Sequence, residues 1–389
     1  MADASGRFPA PLPAAAETVA AEVRRVAAAG QRVHLRGAGR WWPDAPAGET
    51  TLSLAHLTHV TGLQPADLVV TAGAGIALDA LEATLASRGV WLALDPPGES
   101  ARSLGGALAT AASGPLAARY GGPRDQVLGL VVVAGNGAAL RMGGRVVKNV
   151  AGFDVAKAVV GGFGAYGAIV EAHLRLRALP AADRTLAWSG SLRDVAAATA
   201  RVLAAGAAPA ALEVLAPPLA HTLLGADGWA LAARELGGRA AVDEDLAALE
   251  AAVGRGLSRH TLEGAALWRQ WGVAVGRWPV GLRVGADPAA WTDALALLTE
   301  HCGTSAGTSV TAPRGTLRAG FDALPAGALR ALRAAAERRG WPVTLERGDA
   351  ALRHAAGVWG AMTGGPRRLA EALRRTFDPD GVFAAPLFG

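Results

Sequence analysis

The chain has 389 residues and a formal net charge of +5, and aromatic residues make up only 5% of it. This length allows two domains with sizeable cores. Basic residues alternate with acidic ones along the whole sequence, whereas a nucleic-acid groove needs clustered basic residues and exposed aromatic rings. The single cysteine, Cys302, excludes an internal disulfide, a cysteine-ligated iron–sulfur cluster and a zinc finger. We therefore expect a globular protein without a nucleic-acid partner.

Neither an export signal nor a membrane span is expected. The N-terminal residues MADASGRFPAPLPAAAE have no charged start and no apolar core, so they do not resemble a signal peptide. No stretch approaches the roughly 20 apolar residues of a membrane span without charges or glycines. The expected location is the cytoplasm, with any membrane association made through partners.

Short helical and strand patterns alternate over the first 180 residues. Apolar positions at helical spacing predict a helix over 17–29, and the alternation after Gly30 predicts a strand over 32–36. The patterns then predict, in order, a strand over 68–72, a helix over 76–88, a strand over 91–94, and a hairpin of strands 127–134 and 138–142 around Asn136-Gly137. This mixture indicates an α+β protein.

Three glycine-rich turns interrupt these elements. The first is Arg36-Gly37-Ala38-Gly39-Arg40, the second reads SLGGALAT over 103–110, and the third has four glycines among residues 161–167. Glycines at this density indicate positive φ angles or the close approach of a flat ligand. Backbone N–H groups at such turns form anion-binding concavities that suit a pyrophosphate. The turns therefore predict a dinucleotide.

The spacing of the turns excludes the two commonest phosphate-binding motifs. After Leu35 the chain reads RGAGRWWP, which differs from the G-x-G-x-x-G that opens a helix in a Rossmann fold. The only lysines are Lys148 and Lys157, and neither belongs to a Walker motif. We expect a phosphate to be held mostly by backbone groups.

The glycine turns become sparse after Leu179-Pro180. The patterns there predict helices over 191–204, 243–253, 288–300 and 325–338, and strands over 211–215, 229–233, 280–284 and around 308–321. These elements form two similar α/β halves. They fit a cap domain with an antiparallel sheet and helices on one face.

An ordered set of motifs resembles a known family. The motifs are RGAG, LVVTAGAG, DPPG, SLGGALAT, RYGGPRDQVLGLVVVAGNG, KNVAGFD and GGFGAYGAIVEA. Over about residues 8–180 they resemble the FAD-binding domain of the vanillyl-alcohol oxidase and p-cresol methylhydroxylase type. KNVAGFD and the later FDPDGVF are similar, more narrowly, to the FAD-binding subunit of bacterial glycolate oxidase. The resemblance implies a two-part FAD-binding domain over 1–180, an α/β cap domain over 181–350, and a tail over 351–389 that returns to the FAD domain.

The matching motifs imply a set of cofactor-binding residues. They are Arg36, Gly37, Ala38, Gly39, Arg40, Trp41, Pro97, Ser103, Leu104, Gly105, Gly106, Ala109, Thr110, Ser113, Gly114, Gly121, Gly167, Ala168 and Ile169. The family's usual first turn is Arg-Gly-Gly-Gly, so Ala38 is a departure, and the usual tail sequence Asn-Pro-Gly-Arg is absent. Family members with covalent flavin use a histidine or cysteine in these turns. None occurs over 37–42 or 103–122, so we expect non-covalent FAD.

The sequence assigns no catalytic residue. Oxidation of a 2-hydroxy acid at a flavin needs a base for the hydroxyl proton and usually an arginine for the carboxylate. The eight histidines are scattered, and the context of His56 and His59 is more typical of a strand or loop than of a metal site. Lys148 and Asn149 are candidates near the flavin ring, with a solvent-facing lysine and a turn asparagine as the alternatives. Asp154 is typical of a helix N-cap.

The sequence also predicts no metal site. No His-x-His or His-Glu-x-x-His motif occurs, and the metal-and-histidine motif of the catalytic D-2-hydroxyacid dehydrogenase relatives is absent from the second half. In the glycolate oxidase complex, as the resemblance implies, a sister flavoprotein carries that motif and a third subunit carries iron–sulfur clusters.

The resemblance therefore implies an FAD-dependent oxidoreductase that acts on a CH–OH group. Its substrate would be glycolate, in glycolate catabolism, or a similar small 2-hydroxy acid. As a complex subunit it would pass electrons to the sister flavoprotein and the iron–sulfur subunit. Two alternatives stay open: a free-standing FAD oxidase of another substrate, and a non-catalytic assembly subunit whose FAD is structural or absent.

Overall fold

The computed structural model describes residues 12–39, 41, 48–99, 101–144, 155–384 and 387–388. Four residues named above, Arg40, Lys148, Asn149 and Asp154, lie outside the described residues, as does the whole KNVAGFD motif. Within the described ranges, no helix is long and apolar enough to cross a membrane.

Short helices and strands alternate in the N-terminal part, as the sequence predicts. The helices are α1 (Ala14–Ala28), α2 (Leu78–Ala86), α3 (Leu104–Ala109), α4 (Ala117–Tyr120), α5 (Pro123–Gln126) and α6 (Val155–Val159). The strands are β1 (Arg32–Arg36), β2 (Glu49–Ser53), β3 (Val69–Gly73), β4 (Val90–Trp91), β5 (Val127–Val133), β6 (Ala139–Gly143), β7 (Ala168–Arg175) and β8 (Arg177–Ala178).

Three sheets organise this part. Strands β1 and β2 form a parallel pair, β4 and β8 an antiparallel pair, and a four-stranded antiparallel sheet has the order β3-β7-β5-β6. The predicted hairpin is β5–β6, and Gly137 at its turn has φ +75°. The predicted strand over 91–94 is wrong beyond Trp91, because Leu94 N donates to Leu92 O at 2.9 Å and turns the chain tightly.

An eight-stranded antiparallel sheet forms the cap. Its strands are β9 (Ala182–Gly190), β10 (Ala211–Leu215), β11 (Trp229–Gly237), β12 (Ser258–Glu263), β13 (Val280–Gly285), β14 (Ser309–Thr311), β15 (Thr316–Phe321) and β16 (Val343–Arg347), in the spatial order β12-β9-β11-β10-β14-β15-β13-β16. The helices are α7 (Leu192–Ala204), α8 (Pro217–Leu224), α9 (Arg239–Val253), α10 (Ala266–Gly276), α11 (Trp291–Cys302) and α12 (Ala326–Glu337).

Both faces of the cap sheet are covered, so the prediction of helices on one face was wrong in part. Side chains alternate between the faces of each strand. Leu212 and Val214 of β10 belong to the core beneath α7, α9, α11 and α12, whereas Ala211 and Leu215 belong to a second core with α8 and α10. Trp271 of α10 is buried in that second core.

Helix α10 brings the cap against the N-terminal part through a backbone contact. Gly98 N donates to Gly272 O at 2.5 Å, and a Cβ at Gly276 would lie only 2.0 Å from Gly98 Cα. Arg318 of β15 donates to Ser113 O across the same boundary. These contacts leave no room for a side chain at Gly276, and they fix the cap beside the segment 96–113.

The chain ends with α13 (Ala350–Ala356), α14 (Gly364–Phe377) and a tail that lies beside β1. Val33 N donates to Val382 O at 2.7 Å, and Ala384 N donates to Val33 O at 3.0 Å. The carboxylate of Asp378 accepts from Val382 N at 2.7 Å and from Phe383 N at 2.9 Å. The FDPDGVF motif therefore builds the turn that directs the tail to β1. The domain boundaries at 180 and 350 stay predictions.

We expect Asp378→Ala to destabilise the fold by about 1–3 kcal/mol, because it leaves two buried backbone N–H groups without an acceptor. Asp380, an exposed neighbour in the same turn, provides the matched control. The free energy of unfolding in urea should fall for Asp378→Ala and stay within about 0.5 kcal/mol for Asp380→Ala. Equal values for the two variants would contradict this role of Asp378.

Candidate functional site

The three glycine-rich turns meet in one cleft. The empty space between them measures about 760 Å³, part of it open to solvent. Its walls are formed by Leu35, Arg36, Gly37, Ala38, Gly39, Trp41, Leu54, Ala74, Arg102, Ser103, Gly105, Gly106, Ala109, Thr110, Phe163, Gly164, Gly167 and Ile169. The cleft thus brings together twelve of the residues named from the sequence: Arg36, Gly37, Ala38, Gly39, Trp41, Ser103, Gly105, Gly106, Ala109, Thr110, Gly167 and Ile169.

Two other residues named from the sequence lie in the core. Leu104 is buried in α3 beside Leu108, and Ala168 is buried at the start of β7. Both are adjacent in the chain to residues of the cleft. Their side chains support the turns from behind.

A further four lie outside the described lining of the cleft. Pro97 belongs to the segment that contacts α10, and Ser113 O accepts from Arg318. Gly114 N donates to Asp95 Oδ1 at 3.2 Å, and Gly121, with φ +82°, packs against Asp125. Pro97 and Ser113 thus lie at the contact with the cap, Gly114 is adjacent to Ser113, and Gly121 lies beside α5.

The first two turns pack directly against each other. A Cβ at Gly37 would lie 2.2 Å from Ser103 Oγ, so a side chain there would displace this hydroxyl. Likewise a Cβ at Gly105 would lie 2.7 Å from Ala74 Cβ. At Gly106 the nearest atoms would be Ser103 Oγ at 3.1 Å and Trp41 Cδ1 at 3.6 Å. Both glycines line the cleft, but a side chain at Gly105 would collide with Ala74, whereas one at Gly106 would meet only the cleft residues Ser103 and Trp41.

Most glycines of the third turn are explained by backbone conformation. Gly161, Gly164 and Gly167 have φ angles of +85°, +82° and +130°, which side-chain-bearing residues rarely adopt. A Cβ at Gly162 would lie 2.4 Å from Tyr166 Cδ2. Only Gly164 and Gly167 of these four contribute to the described wall of the cleft.

Hydrogen-bond donors converge on one wall. Ser103 Oγ accepts from Ala38 N at 3.4 Å and from Gly106 N at 3.3 Å, and both bonds are long for N–H···O. Trp41 Nε1 is buried and has no hydrogen-bond partner among the described residues. A ligand that binds at this wall therefore has to supply hydrogen-bond acceptors.

The charged residues that line the cleft are positive, so they favour the same kind of ligand as the hydrogen-bond donors do. Arg36 and Arg102 contribute to the walls, and none of the described lining residues is an aspartate or glutamate. Donors and guanidinium groups around one space stabilise an anion. The cleft therefore fits a ligand with a negative group, such as the pyrophosphate of a dinucleotide.

A second cavity adjoins the cleft and shares Thr110 and Phe163 with it. Its empty space measures about 1430 Å³, again partly open to solvent. Three arginines line it from different parts of the chain: Arg124, Arg283 and Arg314. Asp125 is its described acidic residue, and its carboxylate accepts from Gly122 N at 2.8 Å. Its apolar lining includes Phe163, Tyr166, Trp359, Met362, Leu369 and Leu373.

Buried charges of both signs lie between the cap sheet and the segment 95–113. Burial raises the pKa of Asp95 to about 6 and that of Glu213 to about 7. Burial also lowers the pKa of Arg318, although Glu346 and Glu213 oppose the shift. For Glu346, burial acts to raise the pKa, but Arg283, Arg318 and Arg347 outweigh it and the pKa is lowered.

The histidines lie away from both spaces in the described part of the chain. His59 Nε2 is 3.3 Å from Glu171 Oε2, His173 Nδ1 is 2.9 Å from Thr71 Oγ1, and His260 Nε2 is 3.0 Å from Ser189 Oγ. None of the eight is among the described residues that line the cleft or the second cavity. Among the described residues, no group of histidine, cysteine, aspartate and glutamate side chains is arranged to hold a metal ion.

Sequence reasoning missed several residues of the cleft, of which Arg102 is the most informative. The sequence could have indicated Arg102, because it directly precedes the SLGG turn and a residue next to a ligand-binding turn lies close to the ligand. Phe163 and Ala74 had a similar signal, since they lie within the motifs GGFGAYGAIVEA and LVVTAGAG, whereas Leu54 had none and reaches the cleft only through the packing of other elements.

Comparison with known proteins gives matches in both sequence and fold. Residues 11–143 match the family model described as FAD binding domain. Glycolate oxidase subunit GlcE of Escherichia coli is 36% identical over 151 residues, which cover 38% of this chain and 43% of that protein. Glycolate oxidase subunit GlcD of Bacillus subtilis is 34% identical over 173 residues, which cover 44% of this chain and 37% of that protein.

A dehydrogenase and a solved structure complete the comparison. D-2-hydroxyglutarate dehydrogenase of Xanthomonas citri pv. viticola is 35% identical over 172 residues, covering 42% of this chain and 36% of that protein. The chain therefore spans less than half the length of these three relatives. The solved structure of alkyldihydroxyacetonephosphate synthase has a TM-score of 0.68 and 15% identity, over 95% of this chain and 75% of that one.

The matches confirm the resemblance derived from the motifs. The family match overlaps the turns of residues 36–41 and 103–110, and the structural match extends over the cap as well. Residues 11–143 thus match an FAD binding domain, and the chain has the fold of the vanillyl-alcohol oxidase and p-cresol methylhydroxylase type.

Proposed function

We propose that the glycine-lined cleft is where FAD binds, with its pyrophosphate against Ala38 N, Gly106 N and the Ser103 hydroxyl. The observation that carries this proposal is a wall without a described acidic residue, on which Ala38 N and Gly106 N meet at Ser103 Oγ through bonds long enough to be exchanged for phosphate oxygens. The other residues named from the sequence stay part of the proposal. Ser113, Gly114 and Gly121 would flank the flavin end, toward the cap.

Bound FAD supplies the two-electron redox chemistry, and the chain supplies binding, orientation and exclusion of water. The second cavity lies beside the proposed flavin end and presents Arg124, Arg283 and Arg314. Arginine binds carboxylates through paired, charge-assisted hydrogen bonds. We therefore assign to this cavity the carboxylate of a small 2-hydroxy acid.

The proposed protein-level function is that of an FAD-binding subunit of a glycolate or 2-hydroxy acid oxidase complex. Relatives that carry the names glycolate oxidase subunit and D-2-hydroxyglutarate dehydrogenase support the substrate class. A sister flavoprotein with a metal motif and an iron–sulfur subunit are the proposed partners. Membrane association, if any, would be made through these partners and the chain itself would be cytoplasmic.

Two rival functions make different demands on the chain. A free-standing oxidase of another substrate needs its own catalytic base. An assembly subunit needs no working flavin at all. The described lining of both spaces contains no histidine, which favours a subunit whose base comes from a partner over a free-standing oxidase.

We expect Gly106→Val to weaken FAD binding about tenfold or more, because the added side chain points into the cleft. Gly327→Val is the matched control, since Gly327 also lies in a helix, is exposed, and has open space where a Cβ would stand. The flavin content of the purified variants measures the effect. Full flavin occupancy in Gly106→Val would refute the assignment.

The flavin is expected to be released in full on acid precipitation, because the described cleft residues include no histidine or cysteine for a covalent link. The absorbance of the supernatant and the pellet tests this. Yellow colour that stays in the protein pellet would count against non-covalent binding.

The isolated chain is expected to oxidise glycolate slowly or not at all. The physical reason is the lack of a histidine base in the described lining of both spaces. Anaerobic bleaching of the flavin by glycolate, D-lactate and other 2-hydroxy acids measures the reaction. It should be fast only when the partner subunits are co-expressed.

A pure chain whose flavin is bleached as fast as that of the assembled complex would show a complete active site. That outcome would contradict the proposal that the chain is a subunit of a complex and would support a free-standing oxidase. A purified chain that binds no FAD would favour the assembly subunit.

A further inference from the structure

Arg102 is a buried arginine with an unused donor. Only 4% of the residue is exposed. Its Nη2 donates to Pro96 O and its Nε to Glu99 O at 3.2 Å, which fixes the plane of the guanidinium. Nη1 is buried and has no hydrogen-bond partner among the described residues. A buried charged donor left without an acceptor is costly, so it indicates a ligand or other missing acceptor.

Trp41 joins this guanidinium to the glycine turns. The Cζ atoms of Arg102 and Arg347 each lie 5.8 Å from a ring centroid of Trp41. Its Nε1 is a second buried donor without a partner among the described residues. A Cβ on Gly106 would stand 3.8 Å from that Nε1. Both residues line the cleft, and Arg102 also borders a neighbouring cavity beside Gly98 and Gly272.

The charges around Arg102 keep it cationic at neutral pH. Burial, with the repulsion of Arg347, lowers its pKa to about 9, while Glu346, Asp95 and Glu99 act in the opposite direction. Glu346 lies on the cap sheet with Arg347, and Asp95 and Glu99 lie in the segment that precedes Arg102. None of these three carboxylates is among the described residues that line the cleft.

We propose that Arg102 Nη1 and Trp41 Nε1 bind the pyrophosphate of FAD. The inference rests on the proposed FAD site and adds a fixed cation to the backbone donors of that site. A guanidinium matches the geometry of phosphate oxygens, and fixing it through Pro96 O and Glu99 O lowers the entropy lost on binding. Arg102 is thus a cofactor-binding residue that the glycine motifs do not include.

The test compares the dissociation constants of FAD, ADP and adenosine for the apoprotein by calorimetry. ADP carries the pyrophosphate without the flavin, and adenosine carries neither. Arg102→Gln should weaken FAD and ADP alike by about 10- to 100-fold, as expected for a hydrogen bond to a charged group. Trp41→Phe should weaken both by about 2- to 10-fold. Adenosine binding should stay unchanged in both variants.

Arg333→Gln provides the matched control. Arg333 is also a partly buried arginine whose donors hold backbone oxygens, among them Val343 O at 3.2 Å and Val358 O at 2.6 Å. It is not among the described residues of the cleft, so its loss should lower thermal stability and leave the affinity for ADP unchanged. If Arg102→Gln does not fold, Trp41→Phe still tests the inference, because it leaves the bonds of Arg102 to Pro96 O and Glu99 O in place.

Two results would overturn the inference. Unchanged affinity for FAD and ADP in both variants would make the contacts of Arg102 and Trp41 purely structural. A loss for FAD without a loss for ADP would place the guanidinium at the flavin ring. Failure of the proposed FAD site itself would look different, because the wild-type chain would then bind neither ligand. None of these readouts depends on turnover of a substrate.

Discussion

The close approach of backbone at Gly37 and Gly105 is the constraint on which the rest of the site depends. Ser103 Oγ fills the space where a side chain at Gly37 would stand, and Ala74 fills the space beside Gly105. Because no side chain separates these segments, the N–H groups of Ala38 and Gly106 converge on a single hydroxyl oxygen. The wall that we propose binds the pyrophosphate is a direct product of this packing.

A second close approach relates that wall to the cap. Gly276 of α10 packs against Gly98, in the same segment whose carbonyl groups hold Arg102. On the cap side, Arg347 contacts Trp41, and Arg318 donates to Ser113 O. The cap is thereby fixed next to both the cleft and the arginine-lined cavity. Cofactor and substrate would meet at this boundary.

Local patterns in the sequence predicted the local structure well. Asn136-Gly137 predicted the β5–β6 hairpin, because a two-residue turn with positive φ is set by the turn residues themselves. The helical spacing of apolar residues predicted α1, whose buried face contains Val19, Val23 and Val26. Two of the glycine turns and part of the third do meet in one cleft, and the family match agrees with the cofactor that the ordered motifs predicted.

Non-local packing could not be read in the same way. The glycines at 105 and 106 are equivalent in the sequence, and only the position of Ala74 shows that a side chain at the first of them would collide within the chain. Helix α10 was not predicted. One part of it packs on the sheet through Trp271, and its glycines at 272 and 276 pack against Gly98, so its sequence does not show a single apolar face. The orientation of Arg102 depends on the carbonyl groups of Pro96 and Glu99, and the sequence around Arg102 does not show that these groups hold it.

The most direct test of this account is a crystal structure of the chain grown with FAD. The account expects the pyrophosphate oxygens within hydrogen-bond distance, about 2.7–3.2 Å, of Ala38 N and Gly106 N, with the flavin ring toward the cap. A pyrophosphate that binds elsewhere, with the wall around Ser103 facing only solvent, would contradict it.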